Sequence, residues 1–295
     1  MRLLVIGGSG FIGSSLVAKA SERGDEVAYT YAHTPKSLAA RSYHIDFNKD
    51  NGALETALAQ SKPDAVVYCA VPNLDANESL HRQVSVEGVA RTLALLEPAT
   101  RFIYLSTNAV FSGLNGPYKE DAIPDAEACE TDYKIYGMTK AAGESLTLKR
   151  PNSLIVRTAT VDGKNAAGEL SDRLEFLVSS LQKGARLKRF GDRYISPTLV
   201  DNLVDAVLEP LEPRFNYQGV LHIAGAERVT DFEYARVLAR RLNVDETLVG
   251  ESSFKAAFGS SGCLQDTSLD VRFTQGLLET KLLTIREQFR TIFQR

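Results

Sequence analysis

The sequence predicts an α/β fold in which a doubly wound parallel sheet is followed by a smaller C-terminal domain. Three observations predict it. Residues 2–6, RLLVI, are an apolar run that stops abruptly at glycines. From there to residue 157 strand and helix patterns alternate, and beyond residue 160 the pattern loosens. An uninterrupted apolar run suits a strand buried on both faces, which is the usual state of strands in parallel sheets. Alternation of such strands with helices requires crossover connections and hence a parallel sheet with helices on both sides. The expected division is residues 1–160 for the sheet domain and 161–295 for the second, with some later segments returning to the first.

The elements follow in order. After the first strand, a helix is expected from Phe11 to Arg23, with Gly24 ending it as a C-cap. A second strand spans Glu26 to Tyr31, a short third lies near Tyr43–Ile45, a helix near Ala53–Ser61, and a fourth strand at Ala65–Ala70. Asn77 to Leu96 reads as one helix, with Val89, Leu93 and Leu96 on one stripe and Pro98 closing it. The fifth strand, Arg101–Leu105, leads into Ser106 and Thr107. Residues 111–131, with Gly113, Gly116, Pro117 and Pro124 among charges, predict a long irregular loop of the kind that is often functional. A helix from Asp132 to Lys149 and a strand at Ser153–Arg157 complete the first half. In the second half the clearest pieces are helices near Ser171–Lys183, Thr198–Leu208, Asp231–Leu242 and Thr284–Phe293, and a strand at Gly219–Ile223.

The 34 basic and 37 acidic residues nearly balance, which gives no reason to expect a nucleic-acid or anionic-membrane surface. No apolar run approaches the ~18 residues of a membrane span. The opening MRLLVIGG lacks the apolar length and cleavage site of a signal peptide and reads as the buried first strand. Cys69, Cys129 and Cys263 are odd in number and widely spaced. They suggest neither a metal site nor a disulfide framework, so a reducing cytoplasm is the expected compartment. His33, His44, His81 and His222 have no partners at metal-ligand spacing, and no metal is expected.

Between the first strand and helix lies Gly7-Gly-Ser-Gly10-Phe11-Ile12-Gly13, with glycines at 7, 10 and 13. A turn this tight needs positive φ and close backbone approach, which glycine supplies without steric cost. The helix N-terminus behind it presents free N–H groups and a positive dipole end to a pyrophosphate. In this strand–turn–helix setting the pattern points to a Rossmann-type dinucleotide site.

A carboxylate at the end of the second strand would bind the ribose 2′-OH of NAD(H), whereas basic residues would accept the 2′-phosphate of NADP(H). The strand ends Tyr29-Thr30-Tyr31-Ala32-His33, with Lys36 following and no carboxylate. NADP(H) is therefore favoured over NAD(H). Asp46, after the third strand, either meets the adenine amino group or caps the turn before the next helix. The candidate cofactor contacts are Gly7, Gly10, Phe11, Ile12, Gly13, Thr30, Lys36, Asp46, Phe47, Ala70 and Lys140.

Tyr136 and Lys140 stand four apart on a predicted helix and so share a face. An ammonium beside a phenol lowers the phenol pKa from about 10 toward working pH. Such a tyrosine can exchange a proton with a carbonyl or hydroxyl while hydride moves to or from nicotinamide. A strand-end hydroxyl, Thr107 or its neighbour Ser106, can hydrogen-bond the same oxygen.

With these residues the chain resembles the extended short-chain dehydrogenase/reductases, and within them the dTDP-4-dehydrorhamnose reductase branch of sugar-nucleotide enzymes. The resemblance rests on the glycine turn, Leu105–Gly113 (LSTNAVFSG), Pro117–Asp121 (PYKED) and Tyr136–Glu144 (YGMTKAAGE). It continues through Ser196-Pro197-Thr198, Asp201-Asn202-Leu203 and Gly219–Gly225. It implies Thr107, Tyr136 and Lys140 as the catalytic set, with Lys140 also on the cofactor ribose. It also implies a smaller C-terminal substrate-binding domain that grips a nucleotide-sugar. Arg193, Ser196 and Thr198 are its candidate substrate contacts, together with Ser106 and Asn108. The expected reaction is NADP(H)-dependent reduction of a keto group on a nucleotide-activated deoxysugar. A homodimer is suggested by the resemblance alone.

Three positions depart from the branch. Asn108-Ala109 stands where Asp-Tyr is usual, Cys69-Ala70-Val71 replaces Asn-Ala-Ala, and Ser85 occupies a helix position that often holds Asn. Two other readings stay open. One is an NAD-dependent epimerase or dehydratase that recycles its cofactor. The other is a non-catalytic NADP(H)-binding regulatory subunit, as in relatives that serve methionine adenosyltransferase.

Overall fold

The computed structural model describes residues 1–49, 52–259 and 262–293. Strands β1 (Arg2–Ile6), β2 (Glu26–Tyr31), β3 (Arg41–His44), β4 (Ala65–Tyr68), β5 (Arg101–Thr107) and β6 (Ser153–Thr158) join Gly219–His222 in one seven-stranded sheet. All neighbours are parallel, and the order is β3-β2-β1-β4-β5-β6 followed by Gly219–His222. This is the doubly wound Rossmann order, whose direction reverses between β1 and β4 and opens a crevice at the strands' carboxyl ends.

The period of two along each strand divides the core. Leu3, Val5, Val27, Tyr29, Ile103 and Leu105 pack on one face with Leu16 and Val17 of helix α1 (Phe11–Glu22). Leu4, Ile6, Ala28, Val66, Tyr68, Phe102 and Tyr104 pack on the other with Leu54, Leu58 and Val89. A separate cluster lies wholly in the second half, built by Leu174, Leu177, Leu181, Ile195, Tyr234, Leu238 and Phe289 among others. Val200 to Leu208, Leu221, Ile223 and Leu269 to Leu282 instead return to the first core.

Most expected elements are present within a residue or two, and four differences have physical causes. β3 is Arg41–His44 rather than Tyr43–Ile45; it is an edge strand whose side chains are mostly exposed, so it carries no apolar run. The helix expected over Asn77–Leu96 is broken by a π-turn at Gln83–Glu87, between helical segments Glu78–Arg82 and Gly88–Leu95. There the carbonyls of Val84 and Ser85 accept hydrogen bonds from Tyr68 (2.6 Å) and Tyr104 (3.4 Å), partners outside the helix. The loop 111–131 is tied down: Ser112 donates to Asp125 through both N–H and hydroxyl (2.7 Å each), and the Tyr118 hydroxyl accepts from Gly113 and Asn115.

The fourth difference corrects the cysteine reading. Cys129 and Cys263 form a disulfide across 134 residues of sequence. Their spacing carries no pattern because the fold, not the chain, brings the loop after β5 against the segment that begins at 262. The cysteines therefore give no support to a reducing compartment. Among the described residues no helix is long and apolar enough to cross a membrane.

Candidate active site

The glycine turn sits where β1 meets α1. Gly7 has φ +84°, and a side chain there would lie 2.6 Å from the Ala70 backbone nitrogen. A side chain on Gly13 would lie 2.3 Å from the Gly7 carbonyl oxygen. Both glycines are thus required by backbone contact. Gly10 closes the turn by donating to the Gly7 carbonyl at 3.1 Å. It caps α1 without a side chain, and the first helical turn holds no acid. The leading amides, Phe11 and Ile12 among them, are free for an anion.

The other expected cofactor residues take different roles. Thr30 is buried, and its hydroxyl accepts the Gly7 N–H at 3.0 Å, so it supports the turn from β2. Lys36 is exposed, and its carbonyl receives the Tyr29 hydroxyl at 2.6 Å. Asp46 accepts from the Asn48 amide at 3.0 Å and lies 3.3 Å from Lys49; the amide bond leads in holding its carboxyl below the usual range. That is the turn-capping role. Phe47 packs near Tyr68, their ring centres 6.0 Å apart. Ala70 is half-buried against Gly7, and Lys140 is buried beneath β5.

Beyond the carboxyl ends of the strands is a cleft of about 760 Å³. Thr107, from the end of β5, and Tyr136, from the helix Lys134–Thr147, both line it, as do Asn108 and Arg193. Burial pushes the Tyr136 phenol pKa up, and the nearby Thr107 hydroxyl opposes the rise. The lowering expected from Lys140 is not found. The lysine Nζ instead donates to the Leu105 carbonyl at 2.5 Å and lies 3.9 Å from the centre of the Tyr104 ring. Loss of water pushes its own pKa down to about 7.

Three expected substrate contacts are turned away from the cleft. Ser106 donates to Glu144 at 2.5 Å inside the protein. Ser196 is fully buried and accepts from the Leu269 amide at 3.1 Å. Thr198 donates to the Ala159 carbonyl, tying the second half to the end of β6. The reason is common to all three: a small hydroxyl in a motif can hold the backbone as readily as a ligand.

The cleft also contains residues that the sequence reading missed. Val71 to Asp75, after β4, form one wall. Tyr133 lies one turn before Tyr136, a spacing that could have revealed it. Asp162, Arg173 and Asp231 line the far side. Arg173 bonds to Asp162 and lies 3.6 Å from Asp231, which is also 3.3 Å from Arg193. These four come from separate elements without a local motif, so only the fold assembles them.

A family model for the RmlD substrate binding domain matches residues 1–294. The chain belongs to the RmlD family. It is therefore an extended short-chain dehydrogenase/reductase, an NAD(P)-dependent oxidoreductase by type. RmlD-like relatives include a protein of Streptomyces antibioticus described as a probable dTDP-4,6-dihydroxy-2-methyloxan-3-one 4-ketoreductase. It is 27% identical over 253 residues, spanning 83% of this chain and 78% of that protein. Methionine adenosyltransferase 2 subunit beta of Xenopus tropicalis is 24% identical, over 82% of this chain and 72% of its own. Among solved structures, a hypothetical dTDP-4-dehydrorhamnose reductase from Sulfolobus tokodaii superposes with a TM-score of 0.79. It is 26% identical and covers 96% of this chain and 97% of that one.

Proposed function

We propose that this protein reduces a keto group on a nucleotide-activated deoxysugar, with NADP(H) preferred to NAD(H). The observation that carries the reading is the meeting of Thr107 and Tyr136 in one cleft beyond the carboxyl ends of the sheet. The glycine turn opens on the same edge, and its fit to a dinucleotide rests on the start of α1, which Gly10 leaves without a side-chain cap and which holds no acid in its first turn. The ketoreductase of Streptomyces antibioticus supports the substrate class.

A bound nicotinamide dinucleotide supplies hydride. Tyr136 holds the proton that the carbonyl oxygen needs, and Thr107 donates a hydrogen bond to that oxygen as negative charge grows on it. Lys140, buried beneath the end of β5, would hold the cofactor ribose. The preference for NADP(H) rests on the missing carboxylate at the end of β2 and on the exposed Lys36. Of the substrate contacts expected from the sequence, Asn108 and Arg193 line the cleft, and Arg173 lines it beside them. Consumption of NADPH and NADH against nucleotide-linked 4-keto-6-deoxysugars tests the proposal.

The likeness to methionine adenosyltransferase 2 subunit beta favours a second reading, in which the dinucleotide domain serves a partner enzyme. Tight NADPH binding without turnover, and a stoichiometric partner recovered from native extract, would support it.

A further inference from the structure

Asn108 stands between two fixed points. Its carboxamide Nδ2 donates to the Thr267 carbonyl at 2.9 Å, and its Oδ1 lies 3.4 Å from the Thr107 hydroxyl, which donates to it. The Thr267 carbonyl can only accept, so it dictates which end of the carboxamide faces it and leaves the oxygen for Thr107. The post is firm. Thr267 N–H donates to the Tyr194 carbonyl at 3.1 Å, Leu264 N–H to Ser112 at 2.8 Å, and Asp266 N–H to Gly113 at 2.9 Å. The Cys129–Cys263 disulfide ties the same segment down.

The Thr107 oxygen already accepts the Ala109 N–H at 3.1 Å. Its single proton therefore has two acceptors, the Asn108 oxygen and, with a ketone bound, the carbonyl oxygen of the substrate. With no ketone bound, Thr107 donates to Asn108. When a carbonyl oxygen is bound, the Thr107 proton turns to it.

We propose that Asn108 is a positioning residue that holds the Thr107 hydroxyl on the Thr267 carbonyl post through the chain Thr107–Asn108–Thr267, from which the hydroxyl is released to a bound carbonyl oxygen. This rests on the reductase reading. The long bond to a neutral amide oxygen holds the hydroxyl loosely enough to be released. A carboxylate at 108 would have no proton for Thr267 and would grip the Thr107 proton with a charge-assisted bond. The Asn in place of the branch's usual Asp thus links the cleft wall to the catalytic hydroxyl.

The test is a double-mutant cycle with dTDP-4-dehydrorhamnose and NADPH as probes, and NADPH binding as the control for folding. Asn108→Ala should lower kcat roughly tenfold, about what one lost hydrogen bond to a reacting group removes, with KM changed less than about twofold. Asn108→Asp should be slower still, although it is closer in shape. In a Thr107→Ala background the Asn108→Ala factor should fall to about one. An equal factor in both backgrounds, or an effect on KM alone, would overturn the proposal in favour of direct substrate contact. If the wild type turns over no ketone, the reductase reading fails while the positioning role is still decided by NMR of threonine-methyl-labelled protein. A single Thr107 rotamer in wild type that becomes averaged in Asn108→Ala supports it; the same rotamer in both contradicts it.

Discussion

Arg157 of β6 and Glu144 of the Tyr136 helix form a two-pronged ion pair directly beneath the site. Nη2 lies 2.7 Å from Oε2 and Nε 3.0 Å from Oε1, and neither side chain is more than 4% exposed. Ser106 of β5 donates to the same carboxylate. One turn from Lys140, this cluster pins the helix that carries Tyr136 to the ends of two strands. Removing the carboxylate leaves a buried guanidinium without its charge partner. Glu144→Ala should cost about 3–5 kcal/mol of stability, read from urea denaturation, and Glu144→Gln less.

The glycines of the first turn should differ in their tolerance. A methyl group at Gly13 meets the Gly7 carbonyl at 2.3 Å, whereas one at Gly10 finds nothing nearer than 3.4 Å. Gly13→Ala should yield a protein that neither folds stably nor binds NADPH. Gly10→Ala should keep its circular dichroism and melting profile, with any loss confined to the affinity for dinucleotide. Equal damage from the two would contradict the backbone-contact account.

The buried Lys140 makes a prediction in pH. Its pKa is about 7 in the native protein, depressed by burial, against about 10.4 in an unfolded chain. Between those values the unfolded chain binds the extra proton, so the contribution of Lys140 to stability rises with pH across the window. Below about 7 both states are protonated and the cost of the buried charge is full. Wild type should therefore gain stability relative to Lys140→Met between pH 7 and 9.5, measured by urea denaturation at both values. A difference independent of pH would show that the ammonium is better solvated than its surroundings indicate.

The disulfide closes a loop spanning 134 residues. Loops of this length gain much from cross-linking, and typical contributions are about 2–4 kcal/mol. Cys129→Ser should lose roughly that amount, and dithiothreitol should lower the stability of wild type but not of the variant. Because Cys263 adjoins Leu264 in the cleft wall, the same treatment should weaken substrate binding more than NADPH binding.

The sheet domain was legible because its strands are buried on both faces: RLLVI and the run at 65–68 carry their own signal. β3 was harder to bound because an edge strand needs no apolar run. At the site, Thr107, Tyr136 and Asn108 could be read from local motifs, and the structure places them in one cleft. The hydroxyls of Ser106, Ser196 and Thr198 belong to equally recognisable motifs, yet they hold backbone and buried charge. Motif membership does not say which way a side chain points. The Asp162–Arg173–Asp231–Arg193 network and the disulfide depend on contacts between remote segments, for which a single sequence has no periodicity or spacing to read.

The most direct measurement is oxidation of NADPH, and separately of NADH, by wild type and Tyr136→Phe with dTDP-4-dehydrorhamnose and related 4-keto-6-deoxysugars. The account predicts turnover with NADPH faster than with NADH. It predicts a fall in kcat of about 10²–10⁴ in the variant, as expected for a lost general acid, with NADPH affinity unchanged. Turnover that survives in Tyr136→Phe, or none in wild type despite tight NADPH binding, would contradict it.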